Sequence, residues 1–372
     1  MIKRIGVKEL FLIIDFKEEF GMKILFLTEG NHPATQGGIQ TFNRVMKKFF
    51  PEELCTLTKK LKSKYEKLYK IEDVIEVGSN KKFFISINKR LKNKIYLYLF
   101  YKKILEISPE ICILNSPEEL QYLKKFPNIK KILVQHTSFN RYLQVYFKND
   151  KNLIEKAKKE LDYFVFLSYY DKIKFIKELN FPEKKAVVIR HTCELEILNC
   201  CKLKNKKLIM ISRLDNKVKR FDLIIKAMKS LRDFSLNIYG DGADKKYLEN
   251  LIEENRLQNV FLCGATKQVA EKLDENGIFI MASDFEGYGI TNIEAMRRGL
   301  PIILRNTFES AKDIIEENGI LLGKEWNEDE FIKAVRKVYN DYDFYSKNSL
   351  EKAKNYDFDI IKNQWKELFK MK

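Results

Sequence analysis

The 372-residue chain is predicted to be an α/β protein made of two parallel-sheet domains. Three observations carry that expectation. Short β-rich runs alternate with polar or helical sequence, and the alternation occurs twice. The length accommodates two domains of ordinary size, each with its own core, and the 45% hydrophobic content suits a globular protein. In the first half the runs are Ile24–Thr28, Ile111–Leu114, Ile132–Gln135, Phe164–Leu167 and Ala186–Ile189. In the second they are Leu208–Ser212, Ser235–Tyr239, Val260–Leu262, Ile278–Ala282 and Pro301–Leu304. The seam is expected in the polar, turn-poor stretch Glu194–Asn205, with Lys202-LKNKK as an exposed connector. This divides the chain into 1–200, 201–356 and a terminal helix over 357–372. Residues 1–21 precede Met22-Lys-Ile-Leu, which looks like a natural beginning, so they read as an extension or a misassigned start.

Charge is unevenly spread. Residues 1–200 hold 38 Lys and Arg against 24 Asp and Glu, a net of +14, whereas residues 201–372 carry a net of +3. The densest basic parts are Lys59-KLKSKYEKLYK and Lys81-KFFISINKRLKNKIYLYLFYKK. In the second, Phe84, Ile87, Leu91, Ile95 and Tyr98 recur at helical spacing, which predicts an amphipathic helix. Such a helix suits either an anionic lipid surface or the domain core. No apolar run approaches the roughly 20 residues that span a bilayer, and Phe11-Leu-Ile-Ile14 is too short for a signal peptide, so a cytoplasmic protein is expected. The six cysteines show no Cys-x2-Cys pair and read as reduced and mostly structural.

The most informative segment is Glu286-Gly-Tyr-Gly-Ile-Thr-Asn-Ile-Glu-Ala-Met296. It places two carboxylates eight positions apart around a Gly-Tyr-Gly turn, after an apolar run and before a short helix ending at Gly299-Leu-Pro301. A strand leading through glycines into a helix N-terminus makes an anion site, because free N–H groups and the helix dipole point at one spot. Carboxylates on either side of a phosphate site suit polyol hydroxyls. Thr291-x-x-Glu294 also matches a capping box, which would satisfy the same N–H groups without a ligand.

This segment, from Phe285 to Pro301, resembles the E-x7-E block of retaining family 4 glycosyltransferases, also called group 1. Other pieces fall in the family's order: Met22-KILFLTEGNHPATQGGIQTFNRVM, Ile132-LVQH, Ile211-SRLDNKVKRFDLIIKA, Leu236-NIYGDG and Val260-FLCG. The resemblance implies a GT-B architecture, two Rossmann-like parallel-sheet domains facing across a cleft. The N-terminal domain would bind the acceptor and the C-terminal domain the nucleotide-sugar, with the last helix crossing back onto the N-terminal domain. It implies transfer of a sugar from a nucleoside diphosphate donor, UDP being commonest in the family, to an acceptor hydroxyl with retention of anomeric configuration.

Residue by residue, the resemblance assigns Glu286 to the sugar hydroxyls and Glu294 to the ribose, with Gly287, Tyr288, Gly289, Ile290 and Thr291 along the donor. Arg213 follows a predicted strand and Lys219 stands just before a helical run, so both cations are placed to meet a diphosphate. The family spacing is one residue shorter, which leaves Lys217 as the alternative to Lys219. His136 ends a strand where family members keep a histidine near the donor sugar, to bond a hydroxyl or to bring partial positive charge. His32 and His191 also follow strands but are not selected. Gly37-Gly38 resembles the loop under the diphosphate, with Gly38 its candidate contact, and Gly240, Gly242 and Gly264 are expected to border the base.

Asp341-Tyr-Asp343 and Asp357-Phe-Asp359 match the Asp-x-Asp signature of the other major glycosyltransferase fold, but both lie in a helical region far from any glycine turn. No metal and no cofactor are expected, because cations and a helix N-terminus already face the leaving group. The basic, aromatic N-terminal half points to a glycan or lipid-linked acceptor in capsule, lipopolysaccharide or teichoic-acid-type synthesis, and to peripheral attachment at the inner face of the cell membrane. The alternatives are a basic nucleic-acid-binding protein, suggested by the net charge of +17 but lacking zinc spacing or an aromatic RNA-binding box, and an inverting or inactive relative of the same fold.

Overall fold

A computed structural model describes residues 22–35, 37–62, 67, 69–78, 88–200 and 204–371. Two sheets organise them, and every pairing within each is parallel. The first has seven strands in the order β3-β2-β1-β4-β5-β6-β7, formed by Val74–Val77, Leu54–Lys59, Ile24–Thr28, Ile111–Leu114, Lys130–Val134, Tyr163–Phe166 and Ala186–Val188. The second has six, in the order β10-β9-β8-β11-β12-β13: Val260–Gly264, Ser235–Tyr239, Lys207–Ile211, Ile278–Met281, Ile302–Arg305 and Gly319–Leu322. Each is the doubly wound order of a nucleotide-binding fold, in which the direction of winding reverses between β1 and β4 and again between β8 and β11.

Parallel sheets need helices on both faces, so their central strands are buried on both sides. All five residues of β1 are buried, and alternate side chains enter opposite cores: Leu25 and Leu27 pack with Phe100, Ile104 and Phe164, whereas Ile24 and Phe26 pack with Phe42, Met46 and Trp365. The second sheet likewise separates a core around Phe221, Leu236 and Val335 from one around Tyr288, Met296 and Leu300.

Ten predicted strands coincide with observed ones to within a residue or two at their ends. Three observed strands have no predicted counterpart. β2 mixes Thr and Lys into its sequence, β3 is a short edge strand with little full burial, and β13 opens on Gly319, whose Cβ, were it present, would meet the Ile302 carbonyl oxygen at 1.9 Å.

The predicted amphipathic helix is present as Lys89–Ile107, capped by the Asn88 side chain on the Leu91 N–H and ended by Ser108 in the left-handed region. Of the two orientations open to that stripe, the structure takes the outward one. Phe100 and Ile104 are buried, while Leu91, Tyr98 and Leu105 are 49%, 64% and 60% exposed. Phe84 and Ile87 lie outside the described residues.

The Phe358–Lys370 helix packs on the first sheet's outer layer through Ile361, Trp365, Leu368 and Phe369. Phe358, Trp365 and Phe369 meet Phe49, Phe42 and Phe50 at ring-centroid distances of 4.5, 5.8 and 5.1 Å. Trp365 is 1% exposed and packs on Phe42 of the Gly38–Phe49 helix. Trp365→Ala should therefore destabilise the protein by about 3–5 kcal/mol; denaturant unfolding followed by circular dichroism measures this, and a loss below about 1 kcal/mol would contradict the packing role.

Candidate active site

Ligands of open parallel sheets lie beyond the carboxyl ends of the strands, at the point where winding reverses. In the second sheet that point is flanked by the loops after β8 and β11. The β11 loop, Ala282 to Gly289, is fixed from behind. Arg305, at the end of neighbouring β12, donates to the Ala282 carbonyl at 3.2 Å, to Asp284 Oδ1 at 2.7 Å and to the Lys324 carbonyl at 2.8 Å. Thr307 donates to the Ser283 carbonyl and Ser310 to the Gly287 carbonyl. The loop's backbone shape is thus set before any ligand arrives.

The helix Ile290–Arg297 follows. Gly289 sits at its N-cap with φ 73°, a left-handed conformation that a glycine adopts without strain, and no side chain caps the helix. The capping box expected of Thr291 and Glu294 is not formed; with glycine as the cap, the first N–H groups have no side-chain acceptor. Glu294 is half-buried on the second turn, and among the described residues no hydrogen bond or ion pair engages its carboxylate. Burial, and then the charge of Glu194, push it up to about 7. A largely desolvated, unpartnered carboxylate is costly in a free protein and suited to a hydroxyl-bearing ligand.

At the other end of the motif, Glu286 accepts from Lys219 Nζ, both side chains being largely buried, and lies 3.5 Å from Ser283 Oγ. Lys219 closes the short helix Asn216–Lys219, whereas Lys217 is exposed, so Lys219 is the lysine that faces the carboxylate motif. The Val218 carbonyl accepts from the Asp284 N–H at 2.8 Å, joining the two loops. Arg213 is less constrained. Its side chain is 72% exposed and reaches only Asp215, at 3.4 Å, so it does not converge with Lys219 here.

Gly240 and Gly242 abut this cationic loop rather than open space. A Cβ at Gly240 would lie 1.8 Å from the Ser212 carbonyl oxygen, and one at Gly242 2.4 Å from that of Leu214. These glycines let the β9 turn pack flat against the segment carrying Arg213. Gly264 adjoins the same turn, accepting from the Gly240 N–H at 2.8 Å, and has open space beside it. Gly38 begins the Gly38–Phe49 helix and also has open space beside it.

Tyr288 is placed differently from expectation. Its ring is buried in the core, and its hydroxyl pairs with that of Tyr356 at 2.5 Å, so its side chain does not line a donor pocket. Tyr288 is the one side chain between Gly287 and Gly289, and the core takes it. Ile290 likewise turns toward the other lobe, beside Phe42, His191 and Trp365. Thr291 is half-buried near the helix start.

His136 comes from the first sheet and meets this loop directly. A Cβ on Gly287 would lie 2.7 Å from the His136 carbonyl oxygen, so the absence of a side chain there lets the lobes touch. The His136 imidazole packs against Phe42 at 5.4 Å and lies nearly parallel to His191 at 6.1 Å. Burial, reinforced by His191, holds it well below the usual imidazole range, which makes it neutral. His191 is held down to about 4 by burial, and His32 is turned away onto Glu76 at 2.7 Å.

Sequence reasoning missed the residues that act from a distance: Arg305 and Ser310 behind the loop, Asn115 bonded to His136, and Glu309. Glu309 bridges the lobes, accepting from Lys174 Nζ at 2.6 Å and from the Phe139 N–H at 3.3 Å. Arg190 pairs with Asp313 at 2.9 Å in the same interface. Asp357, half of one Asp-x-Asp match, caps its own helix by accepting from the Asp359 N–H, and Asp341 sits at the junction of two helices.

Two Rossmann-like domains thus face each other across a carboxylate-flanked, uncapped helix N-terminus. Comparison with known proteins agrees. The family described as Glycosyl transferases group 1 matches residues 201–356. A poly(ribitol-phosphate) alpha-N-acetylglucosaminyltransferase from Staphylococcus aureus (strain COL) is 26% identical over 312 residues, covering 78% of this chain and 62% of its own length. Among solved structures, sucrose-phosphate synthase from Thermosynechococcus elongatus superposes with a TM-score of 0.77 at 16% identity, covering 94% of this chain and 98% of that one. Anabaena HepE, solved in complex with UDP, gives 0.73 at 16% identity, covering 93% and 99%. Residues 201–356 are thus similar to the group 1 glycosyltransferases, and the chain has the GT-B fold. It spans about three fifths of the length of its staphylococcal relative.

Because burial raises the Glu294 pKa above its ordinary 4.5, ionising it in the folded protein is unfavourable. The folded state binds the proton more tightly, so this group favours folding at low pH and that advantage is lost as pH rises through about 7. Glu294→Gln should therefore melt higher than the unsubstituted protein at pH 8 and match it near pH 4, read by differential scanning fluorimetry. Equal melting temperatures at both pH values would contradict the desolvated, unpartnered carboxylate.

Proposed function

We infer that the protein transfers a sugar from a UDP-sugar to an acceptor hydroxyl in a cell-surface glycan, with retention of anomeric configuration. The observation that carries this reading is the uncapped Ile290–Arg297 helix, flanked by an unpartnered Glu294 and a Lys219–Glu286 pair and roofed by His136 from the opposite lobe. The diphosphate sits at the helix N-terminus. Glu294 accepts from the ribose hydroxyls, and Glu286 orients the hydroxyls of the sugar. Lys219, which shares Glu286 in the free protein, and Arg213, which is free to swing inward, neutralise the charge that develops on the departing diphosphate.

In the reaction the bond from the anomeric carbon to the diphosphate oxygen breaks, and the acceptor oxygen bonds to the same face of that carbon. The acceptor proton passes to an oxygen of the departing diphosphate. A neutral His136 beside the sugar adds no repulsion to the positive charge on the ring. With two cations and a helix dipole on the leaving group, a divalent metal has no required role, and turnover should survive EDTA. The names of two relatives support the donor and acceptor classes: one transfers N-acetylglucosamine to poly(ribitol-phosphate), and another was solved with UDP.

The acceptor reading extends to a surface. Leu91, Tyr98 and Leu105 form one outward stripe on the Lys89–Ile107 helix, flanked by exposed Arg90, Lys94 and Lys102. Apolar groups ringed by cations match an anionic bilayer, where a lipid-linked acceptor would lie, and the attachment is peripheral. Among the described residues no helix is long and apolar enough to cross a membrane.

A thermal-shift panel of nucleotide-sugars should single out UDP-sugars by a raised melting temperature. Arg213→Ala should lower turnover on the order of 100-fold, Glu294→Gln should chiefly weaken donor binding, and NMR of the product should show the donor's anomeric configuration. Unchanged kinetics in both variants would remove the site assignment, and an inverted product would remove the retaining mechanism. Separately, sedimentation should show binding to vesicles containing phosphatidylglycerol but not to pure phosphatidylcholine, and the double substitution Leu91→Glu, Tyr98→Glu should abolish it. Binding that survives this variant places the membrane contact elsewhere.

A further inference from the structure

Two roles are open to the His136 imidazole: accepting from a sugar hydroxyl, or bringing positive charge to the reaction centre. Its neighbour decides between them. His136 Nε2 lies 2.7 Å from Oδ1 of Asn115, the residue that follows β4. The amide of Asn115 cannot be turned around. Its Nδ2 donates to the Leu27 carbonyl at 2.8 Å, and a carbonyl oxygen accepts only, so exchanging the amide atoms would oppose two acceptors. Oδ1 therefore faces the histidine, and Nε2 must carry the proton.

Asn115 is itself immobile. It is 1% exposed, and its backbone N–H donates to Glu119 Oε2 at 2.8 Å. The same carboxyl accepts from the N–H groups of Ser116 at 3.1 Å and Glu29 at 3.2 Å, so a single buried side chain ties the carboxyl ends of β1 and β4 together. On the other side of the imidazole, Nδ1 has no hydrogen-bond partner among the described residues, and it is not one of the fully buried polar atoms; His136 as a whole is half-buried. When one ring nitrogen is bound as a donor in a neutral imidazole, the other presents a bare lone pair.

We propose that Asn115 is a positioning residue for the transfer: it holds His136 as the Nε2–H tautomer, so that Nδ1 accepts a hydrogen bond from a hydroxyl of the donor sugar. The identity of the ligand rests on the proposed glycosyltransferase activity; the tautomer does not. An acceptor nitrogen orients the sugar through its hydroxyl hydrogen and adds no cation next to an anomeric carbon that is gaining positive charge. His136 would thus discriminate for a donor carrying a hydroxyl at the contacted position, and a deoxy analogue at that carbon would lose the contact.

Uniformly ¹⁵N-labelled protein reports the tautomer directly. The three histidines are assigned with His136→Gln, and long-range ¹H–¹⁵N spectra are recorded between about pH 6 and pH 8. His136 should show a protonated-type Nε2 and a bare-type Nδ1 throughout. Asn115→Ala should convert it to a tautomer mixture and lower kcat about 10- to 100-fold, the range typical of lost orienting partners, while changing the donor KM less. A wild-type Nδ1–H tautomer, or an imidazolium in this range, overturns the proposal, and so does Asn115→Ala losing activity with the tautomer intact. If Asn115→Ala fails to fold, the wild-type spectrum still decides. If no UDP-sugar turns over, the transferase reading fails while the spectrum tests the tautomer separately.

Discussion

A single methyl group at position 287 would stand 2.7 Å from the His136 carbonyl oxygen, and the arrangement of the site follows from that constraint. The two sheets each deliver their chemically useful residues to their own carboxyl edge, and neither edge is a site alone. The first contributes His136 and its asparagine. The second contributes the helix N-terminus, two carboxylates and the Lys219 ammonium. Backbone must meet backbone for these sets to face one ligand, and a glycine at the meeting point is the only residue that permits the approach.

The free protein bears the cost of this readiness in its electrostatics. Glu294 is desolvated with no partner among the described residues, and Lys219 and Glu286 neutralise each other. Nearby charged groups that serve the fold are treated differently. Arg305 is buried with three acceptors, and Asp284 is shared between Arg305 and Arg220. The contrast separates scaffold from site on physical grounds: structural charges are saturated, and those facing the cleft are left with unused capacity.

That distinction also explains how much could be read in advance. Buried parallel strands are nearly continuous apolar runs, so the central strands and the doubly repeated pattern stand out, and the residues just after them, including Glu286, Lys219 and His136, follow from strand position and motif. Asn115 carries no such mark, because its role comes from lying beside His136 across a strand pair separated by 21 positions. Helical spacing showed that Leu91, Ile95 and Tyr98 share a face; it could not show that Phe100 and Ile104, half a turn away, take the core. Tyr288 lies within the motif, yet one-dimensional spacing does not say which side chains of a tight turn go inward.

The inward direction of Tyr288 links the donor loop to the crossing between lobes. Its hydroxyl bonds that of Tyr356, and the Tyr356 carbonyl accepts from Arg297 Nη1 at 2.9 Å and from the Thr192 hydroxyl. Residues 189–193 and 356–358 are where the chain leaves and re-enters the N-terminal lobe, so both crossings and the donor loop share one buried polar network. Polar groups of this kind are expensive to separate, because each would be left unsatisfied in low dielectric. The outer contact between the lobes is of another sort: Lys174 and Glu309 form a partly exposed ion pair, worth about 0–1 kcal/mol. The lobes are thus joined by the buried Tyr356 network and by the Lys174–Glu309 and Arg190–Asp313 ion pairs. The loop carrying Glu286 is tied to that network through Tyr288, and its Gly287 meets the His136 backbone of the other lobe.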